Sequence, residues 1–274
     1  MAKEVGIAYI IIYINKIDLM LEGDMKDLVE LEVRELLDIY GFPNDIPCVK
    51  GSARMALEEN ESSKIGTESV KILMNYVDSY IKQPERKKNH AFLMAIEGIF
   101  MAIGRGTVLT GKIETGLVKI GDPLEVIGGR DNISTICLGL EMFRKSLDFA
   151  EAGDNVGILV KSVKRDEVRR GFVLALINTI KSHTKFKAKI YALTKKEGGR
   201  HKPFVSNYTP QFFFRTANVT GSIILPEEIS AVMPGDSLAV EVKLVDRVPL
   251  NVGLRFIMRE GNITIGAGII LELL

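Results

Sequence analysis

From Phe92 to the C-terminus the chain is written in short runs of β-branched, aliphatic and aromatic residues, each closed by a glycine or proline turn. That regular spacing restricts the fold more than any other feature. The first set comprises Phe92–Ile99, Thr107–Ile113, Val118–Ile120, Pro123–Ile127, Ile133–Cys137 and Asn155–Val160. The second comprises Phe186–Leu193, Gln211–Arg215, Val219–Ile224, Ser237–Val245, Arg255–Arg259 and Ile265–Leu273. Short strands at such intervals predict two small antiparallel β-barrels, over 92–180 and 181–274.

Residues 1–83 have a different grammar, alternating strand and helix. Asp24 is placed to cap a helix whose apolar positions Val29, Val33, Leu36, Leu37 and Tyr40 share one face. Gly41 reads as its left-handed stop, and Pro43 prevents continuation. A second helical stripe holds Val70, Leu73, Met74, Val77 and Ile81. Both stripes read as core. Pro84-Glu-Arg-Lys-Lys-Asn-His90 is polar and charged, so 84–91 reads as a linker. The expected fold class is mixed α/β plus all-β.

The α/β part opens on an almost wholly apolar run, Gly6 to Ile14, without alternation. Such a run predicts a strand buried on both faces of a parallel sheet. Asn15-Lys16-Ile17-Asp18 follows at its carboxyl end, where open α/β sheets bind ligands. An Asp there can accept from both nitrogens on the Watson–Crick edge of guanine, the neighbouring Asn can meet the base's carbonyl face, and the Lys stem can lie along the ring. Asn-Lys-x-Asp is also an ordinary strand exit, so four residues alone say little. A second loop, Gly51-Ser52-Ala53, follows another short apolar segment and supplies a backbone N–H for the guanine oxygen. The two loops in this order predict a guanine pocket made by Asn15, Lys16, Asp18, Ser52 and Ala53.

A GTPase also needs a phosphate-cradling loop and a magnesium-positioning Asp upstream of that strand. Only fourteen residues precede Asn15. Gly106-Thr-Val-Leu-Thr-Gly111-Lys112 is a near match, but Ile113 stands where a hydroxyl is required. Its β-branched interior reads as a strand. No catalytic and no metal-ligating residue is predicted, and magnesium would be held only with a preceding phosphate-binding part supplied.

The net charge of +1 predicts no polyanion partner by itself, but Lys161 to Lys202 hold thirteen Lys and Arg against three acids. That excess can face phosphates; for Lys185, Lys187 and Lys189 a solvated strand face explains it better. Cys48 and Cys137 are too few and too distant for a disulfide framework, which suggests a reducing compartment. No run reaches the roughly twenty apolar residues of a membrane helix. The expectation is a soluble, intracellular protein.

Several further segments resemble the elongation factor Tu family of translational GTPases. They are Val29-Glu-Leu-Glu-Val-Arg-Glu-Leu-Leu37, Gly104-Arg-Gly-Thr107, Gly139-Leu-Glu-Met-Phe-Arg-Lys145 and Ala152-Gly-Asp-Asn-Val-Gly157. The second predicted barrel adds Glu197-Gly-Gly-Arg-His201, Pro210-Gln-Phe212, Val219-Thr-Gly221, Met233-Pro-Gly-Asp236 and Gly253-Leu-Arg-Phe256. Glu197 to Ser206 and Arg165 to Gly171 look most like mitochondrial members. The resemblance implies an N-terminally truncated member: the C-terminal half of a P-loop-type GTPase domain, then two barrels. It implies GTP-dependent delivery of aminoacyl-tRNA to the ribosomal A site, with GTP/GDP as cofactor. The ribosome and a Ts-type nucleotide-exchange factor would be partners, without a membrane. The compartment would be the mitochondrial matrix, or a bacterial-type cytoplasm.

Carried over residue by residue, Glu97, Phe100, Thr110 and Asn155 would enclose the esterified amino acid, and Glu141 would meet the terminal adenosine's ribose. Arg170 would lie near the tRNA 5′ end. Arg200, His201, Gln211, Thr220 and Gly261 would touch the T-arm backbone, with Arg200 and His201 in an exposed Gly-rich loop. Thr220, Gln211 and Phe100 have an alternative as strand packing. Departures from the family are Arg54 for the usual Leu, Gly98 for Asp, and Leu174-Ala-Leu-Ile-Asn-Thr179 without its Pro-Gly turn. Ala95, Ile103 and Ser182 replace frequent prolines. Two other functions fit the chain: a non-catalytic tRNA- or partner-binding fragment, and an inactive truncated product.

Overall fold

The computed structural model describes residues 7, 9–20, 23–58, 63–83, 85–102 and 104–274. They form two compact units, Met1–Glu85 and Arg86–Leu274.

In the first unit, β1 (Ile12–Ile14) and β2 (Cys48–Lys50) pair in parallel, Ile12 opposite Cys48 and Ile14 opposite Lys50. Three helices accompany them: α1 (Gly23–Ile39), α2 (Ala53–Glu58) and α3 (Thr67–Tyr80). The start of the apolar run, Gly6 included, and the side chain of Asp24 lie outside what is described. Ile12, Ile14, Ile17 and Ile46 are buried, and Val29, Val33 and Leu37 of α1 pack on them. Leu36, at the edge of that stripe, and Tyr40, past the last helical residue, are exposed instead. On α3 the departure is similar: Met74 and Ile81 are exposed. Gly41 stops α1 as expected. It takes φ 67°, its N–H reaches the Asp38 carbonyl, and the Phe42 N–H reaches that of Leu37.

The second unit holds both barrels. The first uses β3 (Leu93–Ala95), β4 (Gly98–Ala102), β5 (Gly106–Thr115), β6 (Leu117–Lys119), β7 (Pro123–Ile127), β8 (Ile133–Met142), β9 (Lys145–Leu147), β10 (Phe149–Glu151), β11 (Asn155–Val160) and β12 (Val173–Leu176). Six of these close a ring in the order β5-β3-β12-β7-β8-β11, because β11 pairs with both β8 and β5. Period-two alternation drives the closure. In β5, Leu109 and Ile113 point into the core while Val108, Thr110 and Lys112 face outward.

Three expectations change here. Phe92–Ile99 is not one strand: it breaks at Ile96-Glu97, so β3 and β4 pair with different stretches of β5. Strand β12 was not anticipated, although Val173, Leu174 and Ala175 are wholly buried between β3 and β7. The missing Pro-Gly turn after it is supplied by Asn178, at φ 63°. Its N–H donates to the buried Glu125 carboxylate at 2.7 Å. Asn tolerates the left-handed region better than most residues. The near match to a phosphate loop is part of β5, as its β-branched interior predicted. A Cβ at Gly111 would collide with the Ala95 carbonyl, which explains that glycine by strand packing.

The second barrel is closed in the order β13 (Lys181–Ala192), β16 (Ser237–Leu250), β15 (Ala217–Ile224), β14 (Gln211–Phe214), β17 (Arg255–Glu260) and β18 (Ile263–Leu273). Phe186, Phe212, Phe214 and Phe256 fill its centre, with ring centroids 5.3–6.1 Å apart. Lys185, Lys187 and Lys189 alternate outward on β13, and Lys187 pairs with Glu272 at 2.8 Å.

The barrels are joined by directed polar contacts. Arg215, only 7% exposed, extends from the second barrel to Glu114 of the first at 2.8 Å. It also donates to the Pro249 carbonyl at 2.9 Å. Thr216 Oγ1 donates across the seam to the Ile96 carbonyl at 2.9 Å. The described part of the charged segment 84–91 is also tied down. Arg86 bridges Glu151 and Asp154, each at 3.1 Å, and the Gly116 N–H reaches the Lys87 carbonyl.

Candidate functional site

In the α/β unit, the loops after β1 and β2 converge. The Gly51 N–H reaches the Ile14 carbonyl at 3.0 Å, and the Ile17 N–H reaches that of Gly51 at 3.2 Å. A Cβ at Gly51 would collide with Ser69 Oγ and Tyr13 OH, which bond each other at 2.9 Å. Only glycine lets the second loop lie this close. Asn15 Oδ1 then accepts from the Lys16 N–H at 2.8 Å and the Ala53 N–H at 2.9 Å. Of the loop N–H groups, one of which was expected to meet a base, that of Ala53 is therefore engaged by Asn15. Lys16 sits in the left-handed region, at φ 62°.

Ser52 is buried, and its Oγ accepts from the Met55 N–H, capping α2. Arg54 leaves this packing undisturbed by turning to solvent, where it pairs with Glu58 at 2.9 Å. That pair raises its pKa. A cavity of about 260 Å³ results, lined by Asn15, Lys16, Asp18, Leu19, Ser52 and Arg54. The geometry thus brings the predicted loops together, with an exposed Asp18 and an exposed apolar neighbour, Leu19, that the sequence did not single out. Among the described residues no three His, Cys, Asp or Glu side chains group as a metal site would require.

On the first barrel, four strands carry the second group of candidates in one register. Gly98 lies opposite Thr110, Thr110 opposite Gly157, and Gly157 opposite Glu141. Glu97 is anchored through its backbone N–H to the Thr110 carbonyl at 2.9 Å. Glu97, Phe100, Glu141 and Asn155 are exposed, and Phe100, at 60%, is not strand packing. Three strand spacings make this row roughly 14 Å long. Gly98 and Gly157 lie within it, with Phe100 on the β4 side and Glu141 on the β8 side. A Cβ at Gly98 would lie 2.7 Å from Thr110 Oγ1 and 3.0 Å from Phe100 Cε2, so this ring and hydroxyl take up the room beside residue 98.

The second barrel presents a matching cross-strand row. Thr220 lies opposite Gln211, and Gln211 opposite Arg259. Thr220 and Gln211 face solvent, so neither is core. Arg259, which the sequence did not single out, stands over the Phe213 ring at 5.5 Å. Its Nε is buried without a hydrogen-bond partner. Gly261 turns the adjacent β17–β18 hairpin at φ 56°. His201 is exposed, but Arg200 is not the free loop residue expected. Its side chain is 20% exposed, lies over the Tyr208 ring at 4.8 Å and reaches Glu260 at 2.6 Å. Burial, reinforced by Glu260, pushes the Tyr208 hydroxyl up to about 12. Arg170 lies apart from this row, on the seam between the barrels.

Comparison with known families gives two matches. The elongation factor Tu domain 2 model matches residues 106–175, and the elongation factor Tu C-terminal domain model matches residues 179–274. Together they span more than half of the chain. The chain belongs to the elongation factor Tu family of translational GTPases. The domain 2 match covers the barrel with the Thr110–Gly157–Glu141 register, and the C-terminal match covers the Thr220–Gln211–Arg259 row. In this elongation-factor chain, both outward rows stand on barrels whose interiors are filled, so their positions are set by rigid strands and not by loops.

Proposed function

We propose that this family member acts in translation elongation by holding aminoacyl-tRNA across its two barrels. The cross-strand row on the first barrel carries the reading. A carboxylate at one end can accept from a ribose hydroxyl, and an aromatic ring at the other can receive a side chain. Between them Thr110 presents a hydroxyl to the ester, beside the Phe100 ring. On the second barrel Gln211, Thr220 and Arg259 offer donors to phosphate and 2′-hydroxyl oxygens without reading bases, as one factor serving many tRNAs requires. His201 and Gly261 belong to that surface, and Arg200 supports it by bracing Tyr208 and Glu260.

The α/β unit reads guanine. Asp18 accepts from the base, the Lys16 stem and Leu19 cover it, and Asn15 works indirectly by locking the Ser52–Ala53 loop. The same reading gives GTP/GDP as cofactor, the ribosomal A site and a Ts-type exchange factor as partners, and the mitochondrial matrix or a bacterial-type cytoplasm as place. No hydrolytic step follows from this chain's own residues. A non-catalytic tRNA-binding role is the second reading, favoured because both candidate tRNA rows lie on the barrels.

Ester protection tests the proposal. Aminoacyl-tRNA loses its amino acid spontaneously, and saturating protein should slow that loss several-fold. Glu141→Ala should weaken the protection about tenfold, the loss of one charge-assisted hydrogen bond. Hydrolysis unchanged at saturating protein would exclude the role. Titration with GDP and ADP separates the two readings: guanine-selective saturation supports nucleotide-dependent delivery, and its absence from folded protein leaves the barrels alone.

A further inference from the structure

A cavity of about 480 Å³ lies along the seam of the two barrels. Arg169, Arg170 and Phe172 line it from the first barrel; Arg215, Asn218 and Arg247 line it from the second. The charge on these walls is unevenly spent. Arg215 is committed to Glu114 and the Pro249 carbonyl, so it is structural. Arg169 has a loose pair with Asp246 at 3.8 Å, and both side chains are mostly exposed. A pair of that kind holds little energy. Arg170 and Arg247 form no ion pair among the described residues. The cleft therefore offers two uncompensated guanidinium groups and a third that is easily released, against one carboxylate.

Guanidinium forks match phosphate oxygens in pairs, and a recessed basic cleft concentrates its field. Arg169 is also held in place, its guanidinium 5.4 Å from the Phe172 centroid. We infer that the seam cleft binds a compact, multiply charged phosphate anion of the pyrophosphate class, gripped by Arg169 from one barrel and Arg247 from the other. Asp246 decides the shape of the ligand. A phosphodiester strand drawn across the cleft would meet that carboxylate, whereas a single small anion can take Arg169 from its loose pair. Such a ligand spans the two barrels and stabilises their docking by mass action. The inference goes beyond the role in elongation and shares only Arg170 with it.

The test is calorimetric titration of the full chain with inorganic pyrophosphate at constant ionic strength, with thermal denaturation alongside. Saturable one-to-one binding is expected, with a rise in melting temperature. Arg169→Ala and Arg247→Ala should each weaken it about tenfold, and Asp246→Asn should tighten it several-fold. All three side chains are exposed, so the variants should fold; the opposite sign for Asp246→Asn separates ligand binding from general damage. Non-saturable heats, or an affinity unchanged in Arg247→Ala, would overturn the site. So would binding of a 5′-phosphorylated RNA oligonucleotide through Arg169 and Arg247 where pyrophosphate fails. Loss of tRNA binding with pyrophosphate binding intact would leave this inference standing and remove the elongation reading.

Discussion

The α/β unit and the second barrel use the same kinds of apolar residue and bury them very differently. Among the described residues, the α/β core cluster consists of four buried isoleucines with a half-buried surround, and Val49 is buried outside that cluster. The barrel buries twenty apolar side chains in one cluster. A barrel pairs its last strand with its first, so every inward residue meets another. A two-stranded parallel sheet has edges and faces that three helices cover only in part, and Leu28, Leu31, Leu36 and Ile39 of α1 are exposed. Stability in this molecule therefore resides in the barrels. The α/β unit depends on individual polar contacts: Tyr13 with Ser69, Arg34 and Lys50 with Glu30.

The sharpest break should come from the barrel centre. Phe212→Ala removes a fully buried ring from a four-phenylalanine cluster and should cost about 3–5 kcal/mol. Denaturant unfolding should show that loss in the barrel transition, with little change in the α/β unit. Arg215→Ala should cost about 3 kcal/mol, because it leaves Glu114 and the Pro249 carbonyl without their partner at the seam. Its signature differs: one barrel transition should separate into two. In the α/β unit, Tyr13→Phe should cost about 1 kcal/mol for the lost hydroxyl bond.

Acid and alkali should separate the same regions. The Lys50 and Arg34 contacts hold Glu30 below the ordinary carboxylate value. A depressed carboxylate stabilises above its unfolded value and loses that contribution as pH falls through the folded one. Acidification below about 4.5 should therefore loosen α1 from β2 first, and Glu30→Gln should flatten that response in circular dichroism. Tyr208 has the opposite sign. Burial raises it to about 12, so its contribution is complete below about 10 and is lost as pH rises through the folded value. Alkaline unfolding of the second barrel should shift upward in Tyr208→Phe.

Much of the fold was legible because alternation is local. Pro123–Ile127 and Asn155–Val160 match their strands residue for residue, and Gly41 stops α1 by its conformation alone. Strand β12 escaped notice because Val173-Leu174-Ala175 is a short apolar run without alternation, ambiguous until its partners are known. The break at Ile96-Glu97 is likewise a property of β5, which turns the chain between two pairings. At the candidate sites, the residue types could be read in the sequence but not their commitments. Nothing local to Ala53 announces that its N–H serves Asn15, and Arg200 in a Gly-rich loop gives no sign of Tyr208 and Glu260. Arg259 was overlooked because its place beside Gln211 depends on strand register.

Hydrogen exchange on the full chain, with and without aminoacyl-tRNA, tests the contrast between regions and the proposed function together. The account predicts slow exchange through β5, β8 and β13–β18 and markedly faster exchange in β1 and β2. Aminoacyl-tRNA should add protection at β4, β5, β8 and β11 and along β14, β15 and β17. Exchange in β1 and β2 as slow as in the barrels would contradict the stability contrast. Aminoacyl-tRNA protection absent from the Thr110–Gly157–Glu141 register would contradict the functional reading.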